Sequence, residues 1–458
     1  MRFAMHLIRN RSRTADTRRR VLPSWPALLL LALPAAVCLA GSTYDPGQPA
    51  TVDLAEVAQG LGDNGQIFPT DLVAFPDGSG RLLISTLGGS IRLIDGTLTA
   101  TPYIDTVSDD TINAENGNAS FGLTTVAFHP DFANVGTPGF GRLYTVEPEV
   151  TRANPPPDFP GIRNDFVGGN NPAHDRVLYE YRADSLSANA FAGLKREVLR
   201  IHEHRRGHDV NDLAFDAGGY LYIAVGDTVI SGSAQELDNV FGTIMRIDPL
   251  APEQTPGSTD PVSANGAYRI PADNPFLSTA DAVPEIFAYG LRNPFRIFVD
   301  QLTDELWVSS NGASSRESVY QVSLGDNLGW PFFEGTRQNN PPPSGFSYVP
   351  PVFEYTHSLG QSVTGIVVYR GSNLSELTGR VVFSDFLGSG SGGARVFFGD
   401  PLTGVYSDLE ASGPVELPST LVSIGLDQAG EMYFLGGDGR VLATTPDGLL
   451  FRDGFESD

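Results

Sequence analysis

The sequence predicts an all-β fold and, within that class, a six-bladed β-propeller. Six segments of the 458-residue chain each combine an alternating apolar strand, a turn rich in Asp, Gly or Asn, and a second apolar strand. Period-two alternation interrupted by turn residues is typical of a β-hairpin. Hairpins repeated at intervals of about 50 to 90 residues indicate radial repetition, an arrangement that protects sheet edges. No long stretch has helical periodicity.

The six predicted hairpins are spread over most of the chain. They begin at Leu72, Thr124, Asn211, Arg296, Gly365 and Val422. The last one ends in "RVLATTPD", and this strand is expected to form the edge of the final blade. We expect a single propeller domain from about residue 50 to 447, with two stacked β-sandwiches as the alternative. The Pro/Gly/Asn-rich loops 151–175, 248–268 and 337–351 exceed simple turns, so we expect them to shape a pocket over one face.

Residues 1–40 have the order of an export signal: a basic segment, a short apolar run and small residues. Cleavage after Ala40 would release a periplasmic or secreted protein without a membrane span. The segment "TRRRVL" loosely resembles a twin-arginine signal, so the general secretory and twin-arginine routes both stay open. Lipid modification of Cys38 is an alternative. Residues 448–458 are expected to form a short C-terminal tail beyond the last blade.

Charge and cysteine content exclude some classes of function. Without residues 1–40 the chain has 23 basic and 53 acidic residues, a formal net charge of −30. Such a field repels phosphate backbones, so nucleic acid is not an expected partner. Cys38 is the only cysteine, and a chain that begins after Ala40 could therefore form no disulfide. Lys195 is the only lysine.

Three histidines, His202, His204 and His208, lie within the segment "IHEHRRGH". On one strand they would share a face, because their spacing is even. The pattern is compatible with zinc ligation, although no cysteine accompanies it. Gly207 is expected to end the strand first, which would let His208 point in another direction. His202 and His204 are then expected to be strand-surface residues, and a zinc site is the alternative.

Several segments, in the right order, resemble the soluble quinoprotein sugar dehydrogenases of the glucose/sorbosone dehydrogenase family. They are "GLTTVAFHPDFA" (122–133), "GHDVNDLAFDAGGYLYIAVGD" (207–227), "FGTIMRIDP" (241–249), "IPADNPF" (270–276), "EIFAYGLRNPFRIFVD" (285–300) and "DNLGWPFFEG" (326–335). The resemblance implies a six-bladed propeller that carries pyrroloquinoline quinone (PQQ) and calcium. It also implies oxidation of an aldose or related polyol, with electrons passed to an external acceptor.

The resemblance assigns roles to individual residues. His208 matches the family's catalytic base, and Asp227 matches the aspartate that orients it. Arg292 and Asn293 match the pair that faces the quinone, and Ser120 stands where the family has a Gln or Glu beside the cofactor. Gly312 and Ala313 stand where the family binds its active-site calcium through backbone carbonyls.

These residue types suit the implied reaction. Oxidation of a hydroxyl group removes a hydride, which the quinone accepts, and a proton, which the protein must accept. Histidine is suited to this because its unperturbed pKa is about 6.5. A carboxylate on the other ring nitrogen fixes the tautomer, and a guanidinium near the quinone oxygens stabilises developing charge. Calcium would polarise the quinone carbonyl.

The chain also departs from the family pattern. Gly207 stands where the family has an aspartate, and Ala313 where it has a proline. Cationic residues that would hold the cofactor's carboxylates are missing from the last third, where the candidates are Arg370, Arg380 and Arg395. A non-catalytic propeller that binds a glycan or protein partner is therefore the alternative function.

Structural roles are the competing interpretation for the individual residues. Asp227 could cap a turn and Arg292 could form an ion pair. His129 and Trp330 are expected to be packing residues.

Overall fold

The computed structural model describes residues 48–61, 68–106, 122–161, 174–204, 207–388, 393–446 and 450–451. The expected export signal (1–40), Ser120 and most of the expected tail (448–458) lie outside them.

The described residues form six antiparallel β-meanders, which are the blades of a propeller. Strand β1 spans Ala50–Ala58, and the first blade contains β2 (Pro69–Ala74), β3 (Leu82–Thr86), β4 (Ser90–Asp95), β5 (Thr97–Leu98) and β6 (Ile104–Asp105). The second blade contains β7 (Val126–Phe128), β8 (Arg142–Glu149), β9 (His174–Ala183) and β10 (Gly193–Glu203). The third contains β11 (Val210–Phe215), β12 (Leu221–Val225), β13 (Thr243–Ile247) and β14 (Ile286–Tyr289).

The fourth blade contains β15 (Pro294–Asp300), β16 (Glu305–Ser310), β17 (Arg316–Val322) and, after the small hairpin β18 (Phe333–Glu334) and β19 (Arg337–Gln338), β20 (Phe353–Thr356). The fifth contains β21 (Val363–Val368), β22 (Val381–Asp385), β23 (Arg395–Gly399) and β24 (Tyr406–Ser412). The sixth contains β25 (Leu421–Leu426), β26 (Met432–Gly436) and β27 (Val441–Thr444), and β28 (Leu450–Phe451) follows. The described residues also contain short 3₁₀ turns at Ser231–Gln235, Pro252–Gln254 and Ser375–Leu377.

The predicted six-bladed propeller is confirmed. Each predicted hairpin supplies the two innermost strands of a different blade, from β2 and β3 in the first to β25 and β26 in the sixth. The turns between them use Asp and Gly at the expected positions, as in "FDAGGY" between β11 and β12.

The expectation that β27 forms the edge of the last blade is wrong, because β1 pairs with it. Leu54 lies opposite Thr444 in antiparallel register, and β1 thereby becomes the fourth strand of the sixth blade. The first half of β1 also pairs in parallel with β24 of the fifth blade, with Ala50 opposite Leu409. Two residues of the expected tail, Leu450 and Phe451, pair with the start of β1. An exposed edge would leave a row of unpaired backbone groups, and this closure removes it.

The innermost strand of every blade runs in the same direction along a central channel. Residues at their beginnings, such as Thr70 and Asn211, line one cavity, and residues at their ends, such as Ala74 and Phe215, line another. The cavity at the end face has a volume of about 440 Å³. Arg296 lines both cavities and therefore lies between them.

A buried polar cluster surrounds Arg296. Its guanidinium donates to the backbone carbonyls of Thr70 and Asn211 and lies 3.8 Å from Asp71 and 3.9 Å from Asp212. The Thr125 hydroxyl is 3.1 Å from Asp71 Oδ2 and 2.8 Å from Asp212 Oδ1. A hydroxyl has one proton to donate, so both contacts are hydrogen bonds only if one carboxyl is protonated. Burial raises the pKa of Asp212 to about 7, Arg296 opposes this, and Asp71 adds to it.

Ring closure predicts a stability difference between two substitutions in β1. Leu54 is buried against the sixth blade, whereas Glu56 is exposed. Leu54→Ala should lower the free energy of unfolding by about 2–5 kcal/mol, because it leaves a cavity at the closure. Glu56→Ala should change it by less than about 0.5 kcal/mol. Urea denaturation of both variants measures the difference, and equal losses would contradict the closure role.

The polar cluster predicts that stability depends on pH through Asp212. The raised pKa means that the folded state keeps a proton which the unfolded chain loses near its ordinary pKa of about 3.9. The contribution of Asp212 to stability is therefore complete below about pH 4 and lost as the pH rises through about 7. Asp212→Asn mimics the protonated form, so its unfolding free energy should fall less than that of the unmodified protein between pH 5 and pH 8. Parallel pH curves for the two proteins would refute this.

Candidate active site

A cavity of about 130 Å³ lies at the face where the innermost strands begin. The third and fourth blades contribute His208, Asn211, Asn293 and Arg296 to its polar wall. Its apolar wall contains Phe68, Leu87, Phe295 and Val422. Residues from five blades meet here because all innermost strands run in the same direction.

A sharp turn of the backbone after β10 brings His208 to this cavity. Gly207 has a φ of +107° and His208 a φ of +54°, so the chain turns sharply before β11. Asp209 fixes the turn: its carboxylate accepts from Gly207 N at 3.2 Å and from the buried Arg176 at 2.7 Å. At the facing position, a Cβ on Gly226 would lie 2.2 Å from the His208 carbonyl oxygen, so only glycine fits there.

Asp227 follows β12 and receives three hydrogen bonds. Oδ1 is 2.6 Å from His208 Nδ1 and accepts from Val229 N at 2.9 Å. Oδ2 accepts from the indole Nε1 of Trp330 at 2.9 Å. A carboxylate can only accept, so Nδ1 of His208 carries the proton and Nε2 is left to accept one. The pair therefore has the arrangement of a general base and its orienting acid.

The backbone around Asp227 is strained. Thr228 has a φ of +46° and Val229 a φ of +61°. β-Branched residues rarely adopt this left-handed conformation, and such strain collects at functional sites. The Val229 amide gains its bond to Asp227 Oδ1 in this conformation.

Asn293 belongs to a chain of three asparagines. Asn211 Nδ2 donates to Asn293 Oδ1 at 2.8 Å, and Asn293 Nδ2 donates to Asn311 Oδ1 at 2.9 Å. Asn311 Nδ2 in turn donates to the carbonyl of Val363 at 2.9 Å. These bonds link the third, fourth and fifth blades and hold Asn293 at the cavity wall.

Arg292 does not line the cavity of His208, contrary to expectation. Its Nη1 donates to the carbonyls of Gly312 at 2.6 Å and Asn311 at 3.3 Å, beside a separate cavity of about 20 Å³. Burial lowers its pKa, while Asp227, Glu317 and Glu334 oppose that shift. A half-buried guanidinium needs acceptors, and the two carbonyls supply them.

The residues expected to bind calcium therefore have other bonds. The Gly312 carbonyl accepts from Arg292, and Ala313 N donates to Glu334 Oε1 at 2.8 Å. Calcium prefers six to eight oxygen ligands. In the described part of the chain, no group of three or more His, Cys, Asp or Glu side chains could hold a metal ion. A cation at Gly312 would have to replace the hydrogen bond from Arg292, and the assignment of calcium to the carbonyls of Gly312 and Ala313 stays a prediction.

The candidate cations of the last third are all engaged in ion pairs. Arg370 pairs with Asp300 and Arg380 with Asp400, both at the opposite face of the propeller. Arg395 lies at the face of His208 but pairs with Asp408. Lys195, in the second blade, pairs with Glu147.

The three clustered histidines do not converge on one point. His202 Nδ1 is 2.9 Å from the buried Asp175, and its ring lies against His204, whereas His208 is bonded to Asp227. His202 is thus part of a buried ion-pair network rather than a simple surface residue. His129 packs on Phe215 at the opposite face, and burial lowers its pKa to about 4.

Two buried acids near the site have pKa values shifted in opposite directions. Glu203 is fully buried, and among the described residues neither of its oxygens has a hydrogen bond. Burial raises its pKa well above the usual range, and Asp209 adds to this. Glu334 is also buried, which acts to raise its pKa, but Oε1 accepts from four consecutive backbone amides, Ala313 to Arg316, and these bonds hold the pKa below its usual value. Only "LGWPFFEG" hinted at Trp330 and Glu334, and nothing in the sequence distinguished Glu203.

The fold and the His208–Asp227 pair define a β-propeller with a base-like histidine at its central cavity. Residues 67–389 match the model of the Glucose / Sorbosone dehydrogenase family, which is more than half of the chain. The chain belongs to this family.

Curated relatives differ in their names. The chain is 29% identical over 363 residues to the HIPL1 protein of Arabidopsis thaliana, covering 70% of this chain and 51% of the relative. It is 25% identical to the human Hedgehog-interacting protein over 87% of this chain and 52% of that protein. The chain thus spans about half the length of these relatives. It is 27% identical to the aldose sugar dehydrogenase YliI of Escherichia coli, covering 64% of this chain and 65% of that protein.

Solved structures share the fold. The apo-form soluble aldose sugar dehydrogenase of Escherichia coli matches with a TM-score of 0.61 at 21% identity, over 86% of this chain and 99% of that one. The PQQ-bound aldose sugar dehydrogenase of Streptomyces coelicolor matches with a TM-score of 0.56 at 20% identity, over 89% and 100%. Within the ranges described here, no helix is long and apolar enough to span a membrane.

The two buried acids predict opposite results for the same substitution. Burial raises the pKa of Glu203 in the folded state, so the folded carboxyl is less stable at pH 7.5 than in the unfolded chain, and Glu203→Gln removes this cost; the unfolding free energy should therefore stay the same or rise. Glu334→Gln replaces an ionised acceptor of four amides and should cost about 1–3 kcal/mol. Urea denaturation of both variants measures this. A larger loss for Glu203→Gln would show that Glu203 is ionised in the folded state.

Proposed function

We propose that this chain is an exported dehydrogenase that oxidises a hydroxyl group of an aldose or related polyol. The observation that carries the proposal is His208 at the cavity wall with Nδ1 bonded to Asp227 and Nε2 left to accept a proton. Family membership and the similarity to YliI support a sugar as substrate. The export part rests on the pattern of residues 1–40.

In this function His208 acts as the general base. Nε2 accepts the proton of the substrate hydroxyl, and Asp227 stabilises the imidazolium that results. The fixed backbone turn at Gly207 holds the ring at the cavity, so the reaction needs little reorganisation of the base. The side chain of His208 is 16% exposed, which lets the proton pass on to solvent.

PQQ, when bound, would supply the hydride acceptor. Asn293 at the cavity wall is the described residue that would contact it, with Ser120 as a further candidate; contact with Arg292 would require its guanidinium to leave the carbonyls of Gly312 and Asn311. The PQQ-bound enzyme of Streptomyces coelicolor has the same fold, and this supports the choice of cofactor. Calcium at Gly312 would require Arg292 to leave that carbonyl, and no step here depends on calcium.

The second candidate is a propeller that binds a glycan or protein partner without redox chemistry. The ion pairs of Arg370, Arg380 and Arg395 favour it, because these arginines are not available to hold an anionic cofactor. The match to Hedgehog-interacting proteins supports a protein as the partner.

Titration with cofactor separates the two candidates. Purified protein is mixed with PQQ, with and without calcium, and the bound-quinone absorbance and dye reduction with a panel of sugars are recorded. A saturable absorbance and sugar-dependent dye reduction support the dehydrogenase. Their absence, together with saturable binding on a glycan array, would support the binding function instead.

His208 is expected to dominate turnover if the chain is a dehydrogenase. His208→Ala should lower kcat by roughly a hundredfold or more, the usual scale for loss of a general base. The control is His202→Ala, which lies in the same segment but does not line the cavity, and which should retain kcat within about threefold. Thermal unfolding of both variants establishes that they are folded. Equal kcat values for the two variants would remove His208 from the mechanism.

A further inference from the structure

We propose that Trp330 is a positioning residue for the base: its indole N–H holds the Asp227 carboxylate so that the other oxygen faces His208. The catalytic consequence rests on the proposed function, whereas the geometric consequence holds for any function of the site. Nothing in the sequence pattern assigned Trp330 this role.

The carboxylate of Asp227 is held at both oxygens. Oδ1 lies 2.6 Å from His208 Nδ1, and Oδ2 accepts from Trp330 Nε1 at 2.9 Å. Two donors on opposite oxygens fix the rotation of the carboxylate about its Cβ–Cγ bond. Asp227 is 1% exposed, so water is not at hand to replace the indole. Without Trp330, Oδ2 would lose this charge-assisted bond, and rotation would move Oδ1 away from His208.

Trp330 is itself held rigidly. Its backbone amide donates to the Gly290 carbonyl at 2.9 Å, and its carbonyl accepts from Gln235 Nε2 at 2.6 Å. The side-chain amides of Gln235 and Asn327 donate to each other, both at 2.9 Å. The backbone at Gly290 packs closely against the Asn327 side chain, because a Cβ on Gly290 would lie 2.3 Å from Asn327 Oδ1. The indole therefore comes to Asp227 from a loop with little freedom to adjust.

The indole N–H can be separated from the indole ring. The Trp330 ring is buried, and the Arg292 guanidinium carbon lies 5.9 Å from its centroid, so the ring also has packing contacts. Trp330→Phe keeps an aromatic ring and removes the donor. Trp307 offers a matched control: it is buried in the fourth blade, and its Nε1 has no hydrogen-bond partner among the described residues. Trp307→Phe therefore removes an indole N–H that donates no hydrogen bond among the described residues.

The first readout does not depend on activity. In ¹⁵N-histidine-labelled protein, the Nδ1-bonded proton of His208 is followed by NMR. Trp330→Phe should speed its exchange with solvent by about tenfold or more, because the carboxylate acceptor gains freedom. Trp307→Phe should leave it unchanged. An unchanged His208 signal in folded Trp330→Phe would overturn the proposal.

The second readout applies if sugar oxidation is observed. Trp330→Phe should lower kcat by about tenfold, the effect of one lost bond to a charged group. In the background of Asp227→Asn it should have no further effect, because the carboxylate is already absent. A structural role of Trp330 would instead lower kcat in both backgrounds, and that result would overturn the proposal. If the unmodified protein shows no turnover, only the proposed function is contradicted, because the NMR readout does not depend on activity.

If Trp330→Phe does not fold, the chain with Trp330 intact still tests the contact. Asp227→Asn should shift the indole N–H resonance of Trp330 and leave that of Trp307 in place. A Trp330 resonance that does not respond would overturn the proposal.

Discussion

The pairing of β1 with β27 is the constraint on which the rest of the structure depends. A ring of blades must close between its first and last members, and here a strand from the beginning of the described chain completes the sixth blade. Because β1 also pairs with β24, it ties the fifth blade to the sixth. Closure keeps all innermost strands in one ring with one direction. The turns before β11, after β12 and before β15 then meet at a single face, which is where His208 and Asp227 come together.

Scarcity of positive charge shapes the chemistry of this ring. The chain has 30 basic and 54 acidic residues, so acceptors greatly outnumber cations. The arginines that could have held an anionic ligand are paired with aspartates, and Arg292 is bonded to backbone carbonyls. Two buried acids are stabilised by more than a neighbouring arginine, although Arg337 lies 3.8 Å from Glu334. Glu334 is held by backbone amides, whereas Glu203 has a raised pKa.

The sequence predicted what depends on local pattern. The six hairpins follow from alternation and turn residues, which are local, so they were predicted together with the blade count. The closure by β1 was not predicted, because nothing in "ATVDLAEVA" indicates that this strand pairs with a strand near the other end of the chain. His208 and Asp227 were identified through family resemblance, and the break at Gly207 gave a physical reason for the direction of His208. Spacing along the chain does not encode distances between loops. It therefore could not predict the hydrogen bond from Trp330 to Asp227. Nor could it predict that Arg292 turns toward Gly312.

The position of the Arg296 side chain affects access to the central channel. This side chain is bonded to carbonyls of the first and third blades and lies between the cavity at His208 and the larger one at the far end. Among the described residues, the Arg296 side chain therefore lies across the channel between the two cavities. If this side chain stays in place, a ligand that reaches His208 would enter and leave by the same opening, so one ligand would have to leave before the next binds.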